Sequence, residues 1–125
     1  MPQGRLKFPE SRAPELTVEL AQNDEHRSHG LMFRNSLSED QGMLFSWPSE
    51  GRRSFWMHNT CLALDMLFLD EELYVVGILE QVPPWNDSPR QTRCDAAHVL
   101  EVRAGWARQF GVQPGQKAIV DASLP

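Results

Sequence analysis

Two apolar runs with a pair of glutamates between them constrain this chain more than any other feature. They are DMLFLD, residues 65–70, and LYVVGILEQV, residues 73–82, with Glu71 and Glu72 between. Both are rich in the branched and aromatic residues that suit a pleated surface. A strand with one wet face alternates apolar and polar side chains, whereas large apolar residues at successive positions predict burial on both faces. The two runs therefore read as a hairpin inside a sandwich or a covered sheet, joined by a tight turn at the glutamates.

Other segments extend that pattern. Leu16, Val18 and Leu20 alternate with polar residues in ELTVELA, residues 15–21, which predicts a half-buried strand. Short strands are expected at 43–45 between Gly42 and Pro48, at 54–58, at 96–102 and at 117–121, with a bend over NTCLAL. Asn23 or Asp24 can cap a short helix that carries Glu25 in its first turn and ends at Gly30. A second, of one or two turns, fits AGWARQFG and stops at Gly111. Prolines, Asn86 and Asp87 mark residues 83–95 as a loop. Residues 1–14 are polar and proline-rich and read as an N-terminal arm, leaving 15–125 as a single β-rich domain. The fold expected is mostly β, a single-domain β-sandwich or barrel-like fold with two short helices.

Charge and composition exclude several classes of function. The formal net charge is −5 and the basic residues are scattered, which argues against a nucleic-acid partner and against docking on acidic membranes. No stretch approaches the roughly 18 apolar residues of a membrane span. The N-terminus has no apolar signal core, the pattern of a cytoplasmic chain. Cys61 and Cys94 allow one intramolecular disulfide and read as free, mostly buried thiols. His26 and His29 lie three apart on the first helix, but no HExxH, CxxC or dense Asp/His run accompanies them, so no metal and no cofactor is expected. Glycine-rich phosphate loops and GxSxG are absent too.

Several motifs carry a family resemblance. They are VELA and HRSHGLMFR within 18–34, GMLFSW (42–47), FWMHNTCLALDMLFLD (55–70) and HVLEVRAGWARQFGVQPG (98–115). The chain resembles the domain of unknown function 192 (DUF 192) family of small bacterial and archaeal proteins. The resemblance implies a β-sandwich-like fold and no assigned activity. It also implies two departures: position 58 is His where relatives commonly have Lys, and position 63 is Ala where they commonly have Pro. Many relatives carry an export or lipid-anchor segment, which leaves an envelope location open if a segment precedes this chain.

His58, Asn59 and Asp65 are the polar residues of the most apolar segment. Asp65 shares a face with Leu67 and Leu69, so burial of that face requires a partner for its carboxylate. Arg34 is the first expected partner, through a bidentate fork; capping of backbone amides at the bend is the alternative. Asn59 and Thr60 suit a turn held by side-chain to backbone bonds. Trp85, set in a proline-rich loop beside Asn86 and Asp87, is a further ligand-binding candidate. Three functions follow. In the first, a polar cleft near the Thr60 bend, lined by Arg34, His58, Asn59, Asp65 and Trp85, binds a small molecule or a peptide. In the second, Asp65 and His58 act as an acid/base pair of an enzyme. In the third, the cluster is structural and function lies in an external interface. Sequence leaves the oligomeric state open.

Overall fold

In the computed structural model the described residues are 1–32, 34–55, 57, 60–84, 90–91 and 94–125. The expectations placed on His58, Asn59 and Trp85 lie outside them. Along the chain run β1 (Gln3–Lys7), β2 (Leu16–Ala21), α1 (Asp24–His29), β3 (Gln41–Gly51), β4 (Ser54–Phe55), β5 (Leu64–Leu69), β6 (Val75–Val82), β7 (Arg90–Gln91), β8 (Ala96–Arg103), α2 (Trp106–Phe110) and β9 (Ile119–Asp121). Seven strands make one sheet in the order β6-β5-β8-β3-β2-β1-β9; β4 and β7 form a separate pair. All neighbours in the large sheet are antiparallel except β2 and β3. The sheet curls. Tyr74 bridges Lys117, and Val75 N–H donates to Gln116 O at 2.9 Å, joining the start of edge strand β6 to the chain that leads into β9 at the other edge. The fold is mostly β, as the sequence predicts.

The curl gives the sheet two cores. One, built on Leu6, Phe8, Leu16, Val18, Leu67, Leu69, Leu100, Val102 and Trp106, packs against one face. The other, built on Met43, Phe45, Met57, Met66, Phe68 and Val99, packs against the opposite face. Every residue of β5 is buried, which is why its sequence does not alternate. β6 differs from expectation: only Val75 and Val82 are buried, because it is the edge of the sheet. Gly42 lets β3 and β8 approach closely, since a Cβ there would stand 2.9 Å from Glu101 O.

Other expectations are corrected. The supposed arm contains β1, because Leu6 and the following Phe8 are core residues and β1 pairs with both β2 and β9. The strand expected at 43–45 runs on to Gly51; its pairing with β8 shifts register between Ser46 and Gly51, so Pro48 falls where no ladder donor is needed. Of the strand expected at 54–58, Ser54 and Phe55 form β4 and Met57 lies outside a strand, while positions 56 and 58 lie outside the described residues. The cysteines are free, but Cys61 is half-buried and Cys94 exposed. No helix among the described residues is long and apolar enough to cross a membrane.

Asp65 holds three elements together. Its side chain is 0% exposed. Oδ1 accepts the N–H of Gln81 at 2.8 Å and of Gly105 at 3.0 Å, and Oδ2 accepts the N–H of Ala107 at 3.0 Å. Gln81 sits in a bulge of β6 with φ of 53°, which aims its amide away from the ladder. Gly105 precedes α2 and offers no side-chain cap of its own, so Asp65 caps that helix from a neighbouring strand. Arg34 is elsewhere, half-exposed and paired with Glu19. The expected Asp65–Arg34 pair is therefore replaced by amide capping. Asp65→Asn keeps the shape but turns an amide donor toward an N–H, and should cost roughly 2–4 kcal/mol. Arg34→Ala should cost less than about 1 kcal/mol, as an exposed pair does. Urea denaturation of both variants checks the contrast.

Candidate functional site

The first helix is fixed by its caps. Asn23 Oδ1 accepts the N–H of His26 at 2.8 Å, and Gly30, at φ of 50°, returns its N–H to His26 O at 3.0 Å. This short helix lies over the core built on Met43, Phe45 and Met66, the outer core, and leaves a gap between itself and the strands. The gap is a cleft of about 340 Å³. α1 and the residues after it supply Asp24, Arg27, Ser28, His29, Gly30, Leu31 and Met32 on one side. The other described lining residues are Phe45 and Trp47 of β3, Leu64 of β5, Glu101 of β8, and Met57 with Thr60. The bend is closed by a hydrogen bond from Thr60 N–H to Met57 O at 3.1 Å.

Arg27 is locked into the rim. Its guanidinium donates to Ser46 O at 2.6 Å and to Asp24 Oδ1 at 2.9 Å, and lies 5.3 Å from the Trp47 ring centroid. Arg53 lies 4.3 Å from the same centroid and donates from Nε to Ala96 O at 2.9 Å. Two cations thus flank one indole that forms part of the cleft wall, an arrangement that fixes the ring.

Glu101 is the unusual group. β8 is a central strand, and Glu101 is paired across it with Met43 on one side and Met66 on the other. Paired residues of adjacent strands point to the same face, so its carboxyl enters the outer core. The residue is 5% exposed and lines the cleft, and its carboxyl opens on that cleft without a hydrogen bond or ion pair to a described side chain. Burial among apolar side chains pushes its pKa up to about 8, because the charged form loses its water. A carboxyl held neutral in an apolar cleft is a recurring mark of a functional site.

The predicted residues are dispersed. Asp65 is not among the cleft-lining residues; it belongs to the side of β5 that faces the other core, with both oxygens occupied by amides. Arg34 does not line the cleft either. Thr60, named as the bend, does line it. Trp106 is fully buried, with Nε1 donating to Glu39 O at 2.8 Å. Sequence reasoning passed over Glu101, Arg27 and Trp47 as site residues. The available signal for Glu101 was one acid at the centre of the otherwise apolar strand AAHVLEV. His98, also buried, has its pKa lowered by burial and bonds Ser46 Oγ through Nδ1 at 2.8 Å.

A family model, DUF192 (uncharacterized ACR), matches residues 7–120, so the chain belongs to the DUF192 family. A solved structure from Sinorhizobium meliloti 1021, of a protein named as a candidate transcription regulator, is similar with a TM-score of 0.87 and 36% identity; the match covers 94% of this chain and 92% of that one. A protein of unknown function from Novosphingobium aromaticivorans DSM 12444 is similar with a TM-score of 0.82 and 28% identity, covering 94% of this chain and 83% of that one. No curated protein matches the chain.

The raised pKa of Glu101 sets a pH dependence. Between its ordinary value of 4.5 and about 8, the folded state holds a proton that the unfolded state has released. Stability therefore falls as pH rises through that window and levels off above it. Glu101→Gln should flatten this slope and make the variant more stable than wild type at pH 8.5, by on the order of a few kcal/mol. Thermal or urea unfolding at pH 5, 7 and 8.5 checks the sign.

Proposed function

We propose that this DUF192 domain binds a small molecule in the cleft between α1 and the Thr60 bend. The observation that carries the reading is Glu101: a nearly buried carboxyl, without a partner among the described residues, facing a cavity of about 340 Å³. Leaving a polar group unpaired in an apolar site is costly to the fold alone. A bound molecule that supplies the missing hydrogen bonds accounts for keeping it. The cavity lies at the lower end of the usual range for ligand pockets, which suits a metabolite-sized occupant or one side chain of a peptide. Leu31, Met32, Phe45, Met57 and Leu64 give it apolar wall, while Ser28, His29, Thr60 and Glu101 give it polar groups.

Two other readings have less support. An acid/base pair built on Asp65 lacks an accessible carboxylate, since three amides occupy it. DNA binding, which the name of the Sinorhizobium protein would suggest, is opposed by the net charge of −5.

Ser28 is exposed on α1 and lines the cleft, so Ser28→Trp should block the cavity without disturbing the core. In a thermal-shift screen of small metabolites, compounds that stabilise the wild type should fail to stabilise this variant. Saturation at a hundred times Kd corresponds to about 2.7 kcal/mol. Stabilisation that is equal in both proteins places the binding elsewhere and defeats the proposal.

A further inference from the structure

We infer that the cleft takes a small aliphatic molecule bearing a primary ammonium group, which pairs with the carboxylate of Glu101 at the cleft floor while its alkyl part lies against Leu31, Met57 and Leu64. This deepens the proposed function and rests on it.

The charge inventory of the cleft favours a cation. Among the described residues its titratable lining groups are Asp24, Arg27, His29 and Glu101. Arg27 and Asp24 neutralise each other, and the remaining reach of Arg27 is spent on Ser46 O and the Trp47 ring. His29 is itself engaged. Arg103, two residues beyond Glu101 on β8, reaches Glu39 Oε2 at 3.2 Å and Gln109 Oε1 at 2.7 Å. Among the described residues, the elements packed on Glu101 add Met43, Phe45, Leu64, Met66, Met57 and Thr60, none of them charged. An anionic ligand thus meets committed donors, while a cation meets the one carboxyl that lacks a partner among the described residues. Methionine and aromatic walls tolerate a cation better than aliphatic walls do. The net charge of −5 further draws cations toward the surface.

Proton balance supplies a signature. At neutral pH Glu101 holds a proton, because burial has raised its pKa to about 8. Pairing with an ammonium requires the carboxylate, so the proton leaves to the buffer as the amine enters. Close to one proton should be released per amine bound at pH 7, and affinity should rise roughly ten-fold between pH 6.5 and 7.5.

The test is calorimetry in buffers of different ionisation enthalpy, with amide NMR shifts to locate binding. The probes are n-pentylamine, n-pentanol, n-pentanoate and Nα-acetyllysine amide. Pentylamine should bind at least about ten-fold tighter than pentanol, release a proton, and shift α1 and Thr60 resonances. Glu101→Gln should lose that preference while still binding pentanol, and Ser28→Trp should lose every probe. Tighter binding of acetyllysine amide than of pentylamine would identify the ammonium source as a lysine side chain; the reverse order identifies a free amine. Pentanol or pentanoate seated in the cleft as tightly as pentylamine, or amine binding unchanged in Glu101→Gln, overturns the ammonium assignment and leaves the cleft a ligand site. A library with no cleft-specific binder at all removes the site reading as well.

Discussion

Three hydrogen bonds to Asp65 hold the architecture together. A bulge in β6, the turn before α2 and the first turn of α2 each leave a backbone N–H without a ladder or helix partner. One carboxylate on β5 collects all three. Charge-assisted bonds of this kind are stronger than neutral ones, and their value in a site without water is larger still. The anchor fixes where α2 leaves the sheet. That in turn places Trp106 in the core against Phe8 and Phe110, with ring centroids 6.1 and 5.6 Å away. β1, which carries the chain toward Phe8, is thereby tied to the far end of the molecule.

The same strand separates scaffold from cleft. β5, β8 and the Gly42–Ser46 part of β3 are buried on both faces, so each alternate residue answers to a different core. On one face Leu67, Leu100 and Leu44 meet the aromatic cluster around Trp106. On the other Met66, Glu101 and Met43 lie beneath a thin cover made by α1 and the Thr60 bend. A six-residue helix cannot seal three strands. The space it leaves is the cleft, and α1 keeps its position through its own caps and the Arg27 bonds to β3.

Local signals were legible in the sequence where local chemistry decides structure. Asn23, Gly30 and Gly111 announce helix ends through caps and left-handed backbone, and the alternation of Leu16, Val18 and Leu20 marks β2. β1 was not legible, because its burial depends on pairing with a strand more than a hundred residues away. The need of Asp65 for a partner could be read from its place among apolar neighbours. The identity of the partner could not, since backbone amides freed by a bulge and a helix start carry no sequence signature. Arg34 was chosen because side chains are the only donors that a sequence displays.

Asp65 and Glu101 show how one chemistry divides into two roles. Both are carboxyls on central strands, both are nearly inaccessible, and they project to opposite faces of the sheet. Asp65 meets three donors, so its charge is compensated and it has nothing left to offer a ligand. Glu101 meets thioethers and hydrocarbon, so its charged form is penalised and its hydrogen-bonding capacity is unspent. A fold selected for stability alone has no use for the second arrangement, because an apolar residue of similar volume would remove the penalty. Burial alone therefore does not separate a structural acid from a functional one. The number of donors that reach it does, and by that measure the chemistry of this domain lies on the face of β8 opposite the residue that anchors its fold.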